Sequence, residues 1–342
     1  MAFDASYNST PPTGSGVGNR EQLLDLTTVL APRQAPVYGL LPKQAATADL
    51  VEWTVDNLRA PDADNAVVEG ADVGTTGGDD LKAQFGSLSR LNNRLQHFRD
   101  TFNVSKKQEI FDSVTPVRIQ EAEEKAASQV LRDIEKAICS DNGAVSGAAG
   151  TAGKLRGLGA WISSTATSDD VAAVPSDFLT PASAILADGA EELTEARFNG
   201  MLTGIFEETG ETQDMVLVAG TQVRNSIIDG FTRVQTSGSA THIHGNSTTF
   251  NQGDGTDINY NVEIFQGPYG IVKIISANPK CLPDQKRAYL LDPSLLGWSE
   301  GMSMGSTMLE DQGGGPRGYI DAMGTLCVKG PNGLGKITDF AV

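Results

Sequence analysis

The feature that most constrains this chain is the run from Thr115 to Cys139, its longest stretch marked as helix at the start, along one face and at the end. Thr115 suits the N-cap and Pro116 the first helical position, where its missing N–H costs nothing and its φ is already helical. Ile119, Ala122, Ala126, Val130, Ile134 and Ala137 recur at steps of three and four. One face is therefore apolar, while Glu121, Glu124, Lys125, Arg132 and Glu135 fall on the others. Asp141, Asn142 and Gly143 supply a stop. At 1.5 Å per residue such a helix spans roughly 35 Å, enough to act as a beam across a domain.

What surrounds the beam is not more helix. With 38 glycines and only 20% charged residues, the 342-residue chain is rich in turns and strand ends, which argues against an all-helical bundle, and the strands read below beside this helix set the expected class as α+β. The length allows two domains, or one irregular domain with large excursions. A formal charge of −17 opposes gripping nucleic acid, because such proteins cluster Lys and Arg against phosphates. No apolar run nears the ~20 residues that span a bilayer, and polar, acidic sequence follows Met1, so a soluble, unsecreted chain is expected. Cys139, Cys281 and Cys327 are odd in number and far apart, which fits buried thiols in a reducing compartment.

In chain order, residues 1–20 carry Ser, Thr, Gly, Pro and Asn with few apolar anchors and read as an arm. A short helix from Glu21 to Leu30 precedes Pro32, Pro36 and Pro42, which are expected to forbid helix and hold the chain extended against something else. Leu50 to Leu58 alternates like a strand with one covered face. An acidic, Gly-rich stretch follows, and a second extended run spans about Phe85 to Ser105. Together they predict an outstretched hairpin that cannot bury its own faces and needs a partner. After the beam come a Gly/Ala loop, from Gly143 to Gly153, and a buried anchor at Leu155, Leu158, Trp161 and Ile162. A helix follows from Thr194 to Glu208, stopped by Gly210, then a strand from Met215 to Val218 and a helix from Thr221 to Asp229. Residues 235–257 are polar. Strands are expected at Ile258–Phe265 and Gly270–Ile275, around Gly267-Pro268, and at Ala288–Leu291, Ala322–Val328 and Lys336–Phe340.

Candidate chemistry is thin. Gly301-Met302-Ser303-Met304-Gly305 matches the GxSxG of a hydrolase nucleophile elbow, but the chain's three histidines, His97, His242 and His244, all precede it, whereas that fold places the triad histidine after the serine. His242 and His244 would face one side of a strand, with no third ligand near in sequence. Asp254-Gly255-Thr256-Asp257 lacks the closing Glu of a calcium loop. Gly14, Gly16 and Gly18 imitate a dinucleotide motif without the strand that should precede them. No catalytic, metal or cofactor residue is assigned.

A series of short pieces carries a family resemblance: Glu52-Trp53-Thr54-Val55-Asp56-Asn57-Leu58, Glu69-Gly70, Arg90-Leu91-Asn92-Asn93 with Gln96, Val104-Ser105, and Leu131-Arg132-Asp133-Ile134-Glu135. The order continues with Gly157-Leu158, Trp161, Val218-Ala219 and Tyr289-Leu290-Leu291-Asp292-Pro293. Over about residues 20–340 this resembles a family of major capsid proteins of tailed bacteriophages. The resemblance implies the Hong Kong 97-type fold. Its parts would be an N-terminal arm (1–45), an extended loop (46–108), a peripheral domain (109–211) on a spine helix (115–139), an axial domain (212–284) and a return to the peripheral domain (285–342). It implies a virion protein, assembled in the host cytoplasm, whose copies form hexamers and pentamers of an icosahedral or prolate shell around packaged double-stranded DNA. Its partners would be a separate scaffolding protein, a portal and decoration or cement proteins, with neither sequence-specific DNA contacts nor a membrane. Candidate inter-subunit contacts are Trp53, Asp56, Leu58, Glu69, Arg90, Asn92, Arg94 and Lys106. Lys106 and Lys107 otherwise read as a solvated strand end. The competing readings are a decoration or adhesion module and, behind it, a hydrolase.

Overall fold

A computed structural model describes residues 35–58, 61–64, 66, 69–70, 88–110, 118–210, 214–231, 233–237, 240–244 and 264–341. Residues 1–34 of the expected arm with its helix at 21–30, Thr115 and Pro116, the Gly14 and Asp254 motifs and most of the acidic tip lie outside them.

Pro36 opens a short helix, α1 (Pro36–Leu40), where the cluster of prolines is expected to forbid one. The ring occupies the first helical position, which needs no N–H. The next two N–H groups, of Val37 and Tyr38, donate to the Glu135 carboxylate at 3.0 and 2.8 Å. Then come β1 (Lys43–Ala45) and β2 (Leu50–Val55). The second extended run breaks at Leu95 into β3 (Ser89–Arg94) and β4 (Gln96–Asn103). β3 pairs antiparallel with β2, from Val55↔Ser89 to Leu50↔Arg94.

α2 (Lys106–Ile110) precedes α3 (Arg118–Ile138), whose 21 residues run about 32 Å. Ala126, Val130, Ile134 and Ile138 form its buried ridge. Glu135, expected on the polar side, is buried too, because the N–H groups of α1 supply the acceptor's partners. The helix closes before the predicted stop: the Ser140 hydroxyl donates to the Ala137 carbonyl at 2.8 Å, and Gly143 keeps a negative φ.

The remaining elements are α4 (Leu158–Trp161), β5 (Ile185–Leu186), α5 (Glu195–Thr209), β6 (Met215–Ala219), α6 (Thr221–Phe231), β7 (Arg233–Ser237), β8 (Ala240–His244), β9 (Ile264–Gly267), β10 (Gly270–Ser276), β11 (Ala288–Leu291), β12 (Leu296–Leu309), β13 (Arg317–Val328) and β14 (Gly335–Ile337). α5 has the expected caps: Thr194 accepts from the Arg197 N–H at 3.4 Å, and Gly210 takes the left-handed conformation at φ 69°. β12 is the element that pattern reading overlooks. Gly297, Gly301 and Gly305 lower its strand propensity, and pairing along β13, with β1 on the other side of its first residues, makes it a strand. Gly324 on β13 is needed there, since a Cβ would stand 2.3 Å from the Trp298 ring crossing it.

Two sheets carry the body. One runs β1-β12-β13-β4, with α3 lying across β4 and β13. The other runs β5-β14-β11-β6-β10-β9. Its central strands are covered on both faces: Met215, Leu217 and Ala219 join the core under α5 and α6, while Val216 and Val218 join the core around α3. Burial on both sides is why Met215–Ala219 and Ala288–Leu291 read as continuous apolar runs rather than alternations. Tyr289 fastens this sheet to the spine, its hydroxyl donating to the Cys139 carbonyl at 2.7 Å.

Candidate functional site

The site is a surface rather than a pocket, and it is built on the β2–β3 ribbon. The base of the ribbon rests on its own chain. Leu91 is fully buried, Val55 nearly so, and Trp53 lies tilted on Trp161 with ring centroids 5.8 Å apart. The Trp53 Nε1–H donates to the Val328 carbonyl at 3.0 Å. The expectation of a hairpin without cover therefore fails for its first six residue pairs, because α4 and the end of β13 supply an apolar shelf.

Asn93 locks that shelf. Its Nδ2 donates to the carbonyls of Arg156 and Leu326 at 3.2 and 2.8 Å, and its Oδ1 accepts from the N–H groups of Arg156 and Arg94 at 2.8 and 2.9 Å. Every hydrogen-bonding site of the amide is used, so burial costs it little. Arg156, with a side chain fully out of solvent, forms a two-pronged pair with Asp169 and lies over the Trp161 ring at 4.6 Å. Asp169 also accepts from the N–H of Ala144 at 2.9 Å, which ties in the Gly/Ala loop.

Past Val55 the ribbon leaves this support. Asp56 and Asn57 are exposed, Leu58 is 89% exposed, and Leu88, just before β3, is 66% exposed. Glu69 is exposed in a turn with Gly70. On the outer face of the ribbon, Arg90 pairs with Glu52 at 3.3 Å, Asn92 donates to Glu52 at 3.3 Å, and Arg94 pairs with Asp49 at 3.0 Å. The Asn92 Oδ1 also accepts from the Ala172 N–H at 2.8 Å. Lys106 stands 4.0 Å from Asp311. Of the candidate contacts, then, Trp53 and Asn92 bind their own chain, Arg90, Arg94 and Lys106 sit in exposed or half-exposed ion pairs, and Asp56, Leu58 and Glu69 face solvent. Leu88 and Arg156 escaped sequence reading, since a lone Leu or Arg in polar surroundings carries no periodic signal, and Asn93 was read as part of a motif but not as an anchor, because its partners lie 63 and 233 residues away.

The other motifs take structural places. Ser303 lies mid-strand on exposed β12, not at the strand-to-helix turn that a nucleophile elbow requires. His242 and His244 stand opposite Gln235 and Arg233 in the β7–β8 hairpin. His97 and Arg99 both reach Asp321 at 3.3 Å. The three cysteines are buried and unpaired. Burial pushes the Cys139 thiol well up and that of Cys281 up to about 11, which keeps both protonated. Among the described residues no three His, Cys, Asp or Glu gather as metal ligands, and no helix is long and apolar enough to cross a membrane.

Comparison with solved structures places the fold. The capsid of cyanophage A-1(L) matches with a TM-score of 0.61 at 14% identity, over 95% of this chain and 98% of that one. A capsid of a native GTA particle matches at 0.60 and 11% identity, over the whole of both chains. The capsid of cyanophage P-SCSP1u matches at 0.60 and 8%, over 100% of this chain and 99% of that one. The shared architecture is the Hong Kong 97-like capsid fold. No curated protein matches. The family model described as SU10 major capsid protein matches residues 6–341.

Proposed function

The chain belongs to the SU10 major capsid protein family, a structural protein of virions that forms the capsid shell, and from that premise we propose how it does so. Its copies close as hexamers and pentamers into the head of a tailed phage, icosahedral or prolate, around packaged double-stranded DNA. Homo-oligomers close by symmetry, and a subunit with several separate contact surfaces builds a shell from individually modest contacts. The observation that carries this reading is the ribbon, which is anchored by Trp53 and Asn93 on its own body and then leaves it with Leu58 and Leu88 uncovered. Exposed leucines carried on a rigid base are what a neighbouring copy can cover.

We assign residues 1–45 to an arm, 46–108 to the extended loop, 109–211 to a peripheral domain on the spine, 212–284 to an axial domain and 285–342 to the return. In support, β3 and β4 part at Leu95, where the ribbon leaves the four-stranded sheet. The axial assignment includes β6, which shares its sheet with β11 and β14, so the two domains would move as one body. Asp56, Leu58 and Glu69 are the strongest of the inter-subunit contacts, being free of the fold beneath them. Arg90, Arg94 and Lys106 would exchange weak surface pairs for new ones. A net charge of −17 keeps the shell from sticking to its DNA. Assembly takes place in the host cytoplasm with a separate scaffolding protein, and the shell then meets a portal and cement proteins. No catalysis is assigned to it.

The test is deletion of residues 60–84 from the full chain, expressed with its scaffold. Electron micrographs of the wild type should show closed particles. The deletion should give none, or malformed ones, while the unassembled subunit melts normally. Unaltered particles would remove the extended loop from the assembly mechanism.

A further inference from the structure

Asparagine followed by glycine is the pair most prone to spontaneous loss of ammonia, because glycine has no side chain to hinder attack by its own nitrogen on the asparagine amide. The chain has three such pairs, Asn142-Gly143, Asn199-Gly200 and Asn332-Gly333. Residue type ranks them equally, and the fold separates them.

Gly200 lies inside α5, where its N–H belongs to the helical ladder, and the Asn199 Oδ1 is buried. The Gly333 N–H donates to the Gly330 carbonyl at 3.2 Å, and Gly333 is buried. Asn142-Gly143 sits instead past the end of α3, in the irregular link towards α4. Asn142 is exposed, and neither its side-chain amide nor the Gly143 N–H has a hydrogen bond among the described residues.

We propose that Asn142 is the chain's site of deamidation, and that its conversion loosens the shelf on which the ribbon rests. The Gly143 nitrogen gives up its proton and attacks the Asn142 Cγ. A succinimide ring closes, the Cγ–Nδ2 bond breaks, and Nδ2 leaves as ammonia with that proton. Water then opens the ring at either carbonyl, giving aspartate or, with the main chain rerouted through Cβ and Cγ, isoaspartate. Water is the sole co-reactant, and nothing is oxidised or reduced.

The neighbours turn this local change into a structural one. The Asn142 carbonyl accepts from the Gly157 N–H at 3.0 Å, and Gly157 caps α4, whose Trp161 carries Trp53. The Ala144 N–H, one residue beyond Gly143, donates to Asp169, the partner of Arg156. Gly143 packs against the same side chain, since a Cβ there would stand 3.1 Å from the Asp169 Cβ. Isoaspartate adds a main-chain atom between these two tethers and turns the carbonyl that Gly157 uses into a free carboxylate. Either product sets a new negative charge beside Asp141, which pairs with Arg287.

The test stores the full-length, unassembled subunit in mildly alkaline buffer, folded or in urea, and maps its peptides by mass spectrometry. In urea the three pairs should convert at similar rates. In the folded protein Asn142 should convert about tenfold or more faster than Asn199 and Asn332, whose glycines must first open. Equal rates in the folded protein, or a lead by Asn332, overturn the site. Storage should also speed hydrogen exchange of residues 157–162 by about tenfold. Asn142→Gln, whose longer side chain closes the ring far more slowly, should keep that exchange constant. Conversion at residue 142 without faster exchange, or equal quickening in Asn142→Gln, overturns the link to the shelf. The subunit alone suffices, so the result stands whatever particle the chain builds.

Discussion

Trp53 and Glu135 show how single side chains carry more than their type announces. Trp53 is half-buried, tilted against Trp161 and bonded to the Val328 carbonyl, so it anchors the ribbon by packing and by one directed bond. Trp53→Ala should cost about 3 kcal/mol of subunit stability, and Trp53→Phe only about 1 for the lost hydrogen bond. Urea unfolding of the unassembled protein measures both, and equal losses would mean that packing contributes nothing. Glu135 is a buried carboxylate bonded to two N–H groups of α1. Burial holds its pKa above the ordinary value of 4.5, and the two bonds pull the other way without prevailing. The folded state therefore binds the proton more tightly than the unfolded chain. The stabilisation this confers is present below about pH 4 and fades as pH rises through the raised folded value. Relative to Glu135→Gln, wild type should lose stability as pH climbs through that window and then level off. A difference that grew in wild type's favour with rising pH would reverse the assignment. Sequence reading put Glu135 on the polar face because periodicity sees residue type, while its burial depends on α1, some 97 residues away.

Among the elements, the spine and α5 were legible because their signals are local: apolar steps of three and four, a Thr cap, a left-handed Gly. The ribbon was legible as strands but not in its seating. Its partners are Trp161 and Val328, and no short-range pattern in β2 or β3 specifies them. Asn93 is the test of that seating. Asn93→Ala leaves the carbonyls of Arg156 and Leu326 and the N–H of Arg156 without their amide partner, and should cost about 2 kcal/mol. Because β3 turns away from β4 at Leu95 beside it, the same variant should also loosen the ribbon's angle, read as faster exchange of the β2 and β3 amides. A stable variant with unchanged exchange would show that Trp53 alone sets the angle. β12 was missed for the complementary reason: three glycines and little β-branching read as loop, and its strand character comes from pairing with β13 along its length and with β1 at its start.

For the whole molecule, charge governs how copies meet. Subunits carrying −17 repel one another, so raising ionic strength from about 0.1 to about 1 M, which shortens screening from roughly 10 to roughly 3 Å, should speed assembly in light scattering. Slower assembly in salt would mean that pairs such as Arg90 and Lys106 with acidic partners dominate the contacts. The amino-acid sequence by itself determined the class, α+β, the spine, the apolar strands of the larger sheet, the buried thiols and, through its series of short motifs, the family. Those properties are carried by neighbours a few residues apart or by residue type. Only the tertiary structure decided that α1 forms on a buried carboxylate, that the ribbon is seated on its own body as far as Val55, and that β12 is a strand at all. Each depends on groups distant in sequence, and a backbone N–H or an apolar face has no determined fate until its partner is in place.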